Sequence, residues 1–144
     1  MLDCDKLLQQ LRLGPHITWS SLADTPGQQG AYVLWLDSEP PVCLKVGIAG
    51  PRRGEGLWGR LKLHYASNPA NSVLARHLAA DSTSLWAQSY DFVDREQRKE
   101  FLTEKCYFQA VALPAMTRGE LRQFEVFLEQ ELRPKYAGRV GKGR

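Results

Sequence analysis

An α+β domain with a small, mainly antiparallel three-stranded sheet flanked by helices is what this 144-residue sequence predicts. Three observations carry that expectation. Two β-branched and aromatic runs, Gly30 to Leu36 (GAYVLWL) and Val42 to Ile48 (VCLKVGI), are close enough in sequence to form a hairpin. A third such run, Cys106 to Leu113 (CYFQAVAL), lies far downstream. Between and around the three runs, apolar residues recur at helical rather than strand spacing.

The elements follow in order. Leu2 to Leu13 reads as a short amphipathic helix stopped by Gly14-Pro15, and the polar stretch Ser20 to Gln29, with Pro26-Gly27, reads as a loop. The hairpin is joined by Asp-Ser-Glu-Pro-Pro, where proline has no N–H to give to a ladder. A glycine- and arginine-rich loop, Ala49 to Gly56, leads to a helix with Leu57, Leu61 and Tyr65 on its buried face. Arg60 and His64, four residues apart, project from the flank of that stripe. A further helix is expected over 72–80, capped by Asn71 or Ser72. Another is expected over 94–105, capped by Asp94 and burying Phe101 and Leu102. After the third strand, Thr117-Arg118-Gly119-Glu120 has capping-box spacing and opens a last helix that Pro134 closes.

That last helix carries an anomaly. Leu121, Phe124, Leu128 and Leu132 form one apolar stripe, and Glu125 stands inside it. An ionised carboxylate buried without a partner costs several kcal/mol, so a cation, a hydrogen-bond network or a substrate cleft is required nearby. Two readings stay open: a hard oxygen ligand for a divalent metal, or a glutamate whose stem packs while its head reaches solvent or a neighbouring arginine. Glu129 and Glu131 fall to the sides of the stripe and read as solvated.

Length, a hydrophobic content of 43% and the lack of low-complexity blocks suit one domain, 30–137, with 1–29 packed on it as a helix and loop and 138–144 as a disordered basic tail. Cys4, Cys43 and Cys106 are odd in number and far apart, which argues against a disulfide framework or a zinc cluster. The amino terminus lacks the basic start and apolar run of a signal peptide, and no stretch is long enough to span a membrane, so a cytoplasmic protein with no membrane partner is expected. A net charge of +3 is too mild to identify a partner. The local run is more informative: Lys45, Arg52, Arg53, Arg60 and Lys62 face the single acid Glu55. His16 and His77 have no matched metal-ligand partner and read as structural. The four tryptophans are scattered rather than interleaved with basic residues, and Trp86, Tyr90 and Phe92 are candidates for an exposed apolar patch or for core packing.

Gly30-Ala31-Tyr32 on the first strand, Lys45-Val46-Gly47 on the second, Arg60 with His64 on the next helix, and Glu125 nine residues ahead of Pro134 in Arg133-Pro134-Lys135-Tyr136 are ordered marks. In that order and spacing they resemble the GIY-YIG nuclease superfamily over residues 30–137. The resemblance implies a GIY-YIG-like fold and a metal-dependent endonuclease acting on DNA ahead of RNA, with one Mg²⁺ or Mn²⁺ held by Glu125 and with a protein partner for targeting. It also implies that Tyr32 activates the attacking water and that Gly30 and Gly47 are structural motif glycines. The chain departs from the family pattern at Lys45, where a tyrosine is usual, at Ile48, where a lysine is frequent, and at Ala137, where the closing segment has asparagine.

Chemistry gives each residue type a task. Phosphodiester hydrolysis needs an activated water, neutralised phosphoryl oxygens and help for the leaving alkoxide. Mg²⁺ and Mn²⁺ can bridge one carboxylate to phosphate, and the planar guanidinium of Arg60 fits phosphate in two-point contact. An isolated phenol is a feeble base at neutral pH, so Tyr32 needs a neighbour to take its proton: Lys45 or His64. Arg52, Arg53 and Lys62 are the candidates for holding the nucleic-acid backbone. Two other functions stay open: a nucleic-acid binding module on the same fold whose chemistry has decayed, motivated by Lys45 and Ala137, and a protein-interaction domain that uses exposed aromatics and binds no nucleic acid.

Overall fold

The structure, a computed structural model, describes residues 2–50, 56–66, 72–81 and 83–137. Its sheet has strands β1 (Gly30–Leu36), β2 (Val42–Ala49) and β3 (Cys106–Ala112) in the order β2-β1-β3, antiparallel throughout. The α+β class is as expected. The central position of β1 explains its nearly uninterrupted apolar sequence, since both of its faces are covered.

Two cores lie on opposite faces. Tyr32 and Leu34 point to one, where Leu44 and Phe108 meet helices α2 (Gly56–Ala66), α3 (Val73–Ala80) and α4 (Arg95–Lys105). Ala31, Val33 and Trp35 point to the other, where Val46 and Tyr107 meet α1 (Cys4–Leu13) and α5 (Arg118–Leu132). The stripes are those the spacing predicts: Leu57, Leu61 and Tyr65 on α2, and Leu121, Phe124 and Leu128 on α5, are buried. Each such side chain contributes about 1.5–3 kcal/mol by leaving water.

Helix ends obey local chemistry. Asp3, Ser72, Asp94 and Thr117 each accept a backbone N–H at their helix start, and Thr117 with Glu120 forms the full capping box. α5 ends at Arg133, which adopts the left-handed conformation (φ 48°) with Pro134 directly behind it. Buried Gln29 fixes where α5 begins, donating through Nε2 to the carbonyls of Leu113 (2.8 Å) and Met116 (2.6 Å). The closing segment runs along the outer edge of β2, with Lys135 N–H on Cys43 O (3.0 Å) and Tyr136 N–H on Leu44 O (2.8 Å). That pairing covers part of an exposed sheet edge.

One expectation needs correction, and several open ones are decided. The stretch read as a loop contains a 3-10 helix, Trp19–Asp24, because Thr18 and Ser21 cap each other and Leu22 is buried. Phe92 is core, in edge contact with Phe101 at 4.9 Å, and Trp86 and Tyr90 pack against the same cluster, so the three do not form an exposed patch. Trp86 also donates to the Tyr136 hydroxyl (3.0 Å), which in turn donates to Asp81 (2.5 Å). Burial alone would raise the Asp81 carboxyl, but the donors Tyr136, Thr83 and Ser84 outweigh it and hold it at about 2. His16 stacks on Tyr107 at 3.9 Å and His77 tilts against Tyr136 at 5.7 Å, both structural settings. No cysteine is in a disulfide. Among the described residues, no helix is long and apolar enough to cross a membrane.

Candidate active site

β2 is an edge strand, and beside it the helices of the two faces approach each other. A cleft of about 760 Å³ opens there, bordered by β1, β2, α2, α3 and α5. Tyr32, Lys45, Arg60, His64 and Glu125 all line it. Residues separated by as many as 93 positions are thus brought to one cavity, which spacing alone could not establish.

Tyr32 and Gly47 are direct cross-strand partners. The tyrosine ring lies over the glycine, so a Cβ at Gly47 would fall 2.3 Å from the ring carbon Cζ and the hydroxyl oxygen. Gly47 is therefore the floor on which the phenol rests. Gly30 has a different duty: its Cβ would meet Val111 O at 2.1 Å, so it serves strand packing and does not border the cleft.

The Tyr32 hydroxyl is 2.6 Å from His64 Nε2. Phe108 supports both rings, at 5.9 Å from Tyr32 and 5.8 Å from His64. His64 Nδ1 is buried without a hydrogen-bond partner among the described residues. Burial first, then the charges of Lys45 and Arg60, lower the imidazole to about 3, so His64 is neutral at physiological pH. Burial likewise raises the Tyr32 phenol, with Arg60 opposing and Glu125 adding to the rise. Where Tyr32 donates, Nε2 is the bare nitrogen and the ring proton sits on Nδ1.

The depressed imidazole carries a stability signature. An unfolded chain protonates His64 near the ordinary 6.5 and the folded chain only near 3, so between those values the unfolded state binds more protons. Stability is full above about pH 6.5 and falls as the pH drops toward 3. Glu129, raised chiefly by burial, opposes this just above its ordinary 4.5, and Asp81 adds a separate loss below 3.8. Urea unfolding is expected to show a loss of about 1–2 kcal/mol between pH 7 and pH 5. In His64→Gln that slope should flatten; an unchanged slope would contradict the buried neutral imidazole.

Lys45 is half-buried, and burial lowers its ammonium while Glu125 and Glu129 pull it back up and Arg60 pushes it down. Arg60 is exposed at the rim. Glu125 is half-buried and accepts from Arg122 Nη1 at 2.5 Å, one turn earlier on α5. Its stem packs and its head meets the neighbouring Arg122 at the cleft, the second of the two readings, and this pairing accounts for a carboxylate in an apolar stripe without a metal. Glu129 is not merely solvated as its position suggested, since it is partly buried and feels Glu125, Arg122 and Lys45.

The cleft also contains residues that the sequence did not single out for it: Arg118, Gly119 and Arg122 from α5, and an apolar wall of Ile48, Leu63 and Val73. Arg122 had one available signal, its place one turn from Glu125. Lys62 does not border the cleft; its ammonium lies 4.8 Å from the centre of the Trp58 ring. Arg52, Arg53 and the tail 138–144 lie outside the described residues.

The donor set suits a particular kind of metal. Among the described residues Glu125 is the one carboxylate that lines the cleft, and no cluster of three or more potential ligands occurs. A protein-caged ion such as structural zinc does not match that set, whereas Mg²⁺ or Mn²⁺, which keeps several waters and shares its shell with phosphate, does. No family model, curated protein or solved structure matches the chain.

Proposed function

We propose that this chain is a divalent-metal-dependent endonuclease of the GIY-YIG type, hydrolysing phosphodiester bonds in DNA ahead of RNA. The observation that carries the proposal is the convergence of Tyr32, Lys45, Arg60, His64 and Glu125 on one cleft, with the Tyr32 hydroxyl bonded to His64.

The geometry supports a division of labour. Arg60, with its head at the rim, grips the scissile phosphate through a two-point contact. Tyr32 takes a proton from the attacking water while its own proton passes to His64 Nε2, so the phenol need never stand as a free phenolate in its buried setting. The new P–O bond forms as the bond to the leaving oxygen breaks, and the leaving oxygen collects its proton from solvent. His64 is a weak acceptor, first because it is buried and then because Lys45 and Arg60 stand near it. Phosphate charge entering next to Lys45 and Arg60 offsets them and raises its affinity for the proton. A Mg²⁺ or Mn²⁺ bound at Glu125 would supply charge neutralisation at the phosphoryl oxygens.

The test is incubation of the purified protein with plasmid DNA, single-stranded DNA and RNA, with Mg²⁺, with Mn²⁺ and with EDTA. Metal-dependent cleavage of one of them is expected. Failure to cut any of them would overturn the reading. A binding module without chemistry is the second reading, favoured by the phenol that burial makes harder to ionise. It predicts salt-dependent binding with no cutting and no effect of removing Glu125.

A further inference from the structure

We infer that Arg122 is an exchange residue: it neutralises Glu125 while no divalent cation is bound, and it turns to substrate phosphate when cation and nucleic acid arrive. The inference rests on the nuclease reading and adds a positioning residue that the five-membered constellation lacks.

Arginine and metal compete for one carboxylate. Arg122 Nη1 sits 2.5 Å from Glu125 Oε1, and Glu125 is the one acid among the described residues that line the cleft. Among the described residues Oε2 is left open, but a divalent cation on either oxygen of this carboxylate would stand within a few ångströms of the guanidinium, and like charges that close repel in a partly desolvated cavity. The pair is also unequal. The carboxylate side chain is 13% exposed and held by the packed stripe of α5, whereas the Arg122 side chain is 69% exposed. The arginine is the partner free to leave, and an exposed ion pair is worth little, so leaving costs little.

The released guanidinium has a destination. Arg122 borders the same cleft as Arg60, Lys45 and Arg118, and a phosphate backbone lying there needs more than one cationic contact. One side chain therefore masks the acid before loading and contacts the ligand afterwards. Thermodynamically this makes cation and nucleic acid help each other bind, each increasing the affinity for the other by the same factor.

The signature is a pair of effects of opposite sign in Arg122→Ala. Mn²⁺ binding to the full chain without DNA, followed by electron paramagnetic resonance of the free ion, should tighten about three- to tenfold, the worth of a lost exposed ion pair plus a removed cation. Binding of a short phosphorothioate DNA duplex, followed by fluorescence anisotropy, should weaken about three- to tenfold when Mn²⁺ is present. Its salt slope should fall by about one. Without metal, when Arg122 is held by Glu125, the DNA loss should be less than twofold. Unchanged or weaker Mn²⁺ binding, or a DNA loss equal with and without Mn²⁺, would overturn the exchange. Glu125→Gln separates this from the underlying reading. Mn²⁺ binding that survives in that variant, or that is undetectable in the wild type, sinks the metal site itself and the exchange with it.

Discussion

Replacing Glu125 with glutamine is expected to lower metal-dependent strand cleavage by about a thousandfold or more while leaving the fold in place. Glutamine keeps the shape of the side chain and its packing beside Leu121, Phe124 and Leu128. It removes the one carboxylate that lines the cleft among the described residues. The structural cost is limited to the Arg122 contact, whose exposed arginine makes it worth about 0–1 kcal/mol. Circular dichroism and urea unfolding should therefore show a near-normal domain. Cleavage within tenfold of wild type, or a metal requirement that persists unchanged, would show that the carboxylate is not the metal ligand.

Tyr32→Phe is the second large effect. The phenylalanine ring still fits over Gly47, but the hydroxyl that reaches His64 is gone. Turnover should fall about 10²- to 10⁴-fold, the usual contribution of a positioned proton acceptor, with little change in KM. Stability should fall by about 1–2 kcal/mol because His64 Nε2 loses its partner inside a crowded aromatic cluster. Adding His64→Gln to Tyr32→Phe should cost far less than the product of the two single losses, since one relay is being broken twice. Independent, multiplying losses would mean that the two rings act separately, and a Tyr32→Phe enzyme within threefold of wild type would remove the phenol from the chemistry.

How far the sequence could be read depended on whether the determinant was local. Hairpin strands, caps at Asp94 and Thr117, and the stripes of α2 and α5 are set by residues a few positions apart, and they are observed nearly where spacing puts them. Long-range partners were less legible. The nuclease reading asks for a proton acceptor at Tyr32, with Lys45 and His64 as candidates; the fold bonds Tyr32 to His64, 32 residues away, because the glycine opposite Tyr32 lets the ring lie across the strand toward α2. Arg122 has a single sequence signal, its place one turn before Glu125, and that spacing alone does not say that the two side chains meet. Lys62 lies in the basic run, yet one helical turn from Trp58 it rests over the indole, away from the cleft. The 3-10 helix at Trp19–Asp24 hid in a polar stretch because its single buried leucine, Leu22, gives no periodic signal.

The departures at Lys45 and Ala137 acquire local explanations. Lys45 occupies the cleft wall as a cation whose charge faces Glu125 and Glu129, so positive potential stands where the family pattern has a phenol. In the closing segment, Tyr136 carries the anchoring, through backbone pairing with Leu44 and a hydroxyl held between Trp86 and Asp81. Ala137, the next residue, is exposed.

The most direct test is X-ray data collected at the manganese absorption edge from crystals of Tyr32→Phe grown with Mn²⁺ and a short DNA. The account predicts one anomalous peak coordinated by Glu125, with a phosphate beside it bonded to the Arg60 guanidinium. A peak on another surface, or DNA bound with its phosphates away from Arg60, would contradict it.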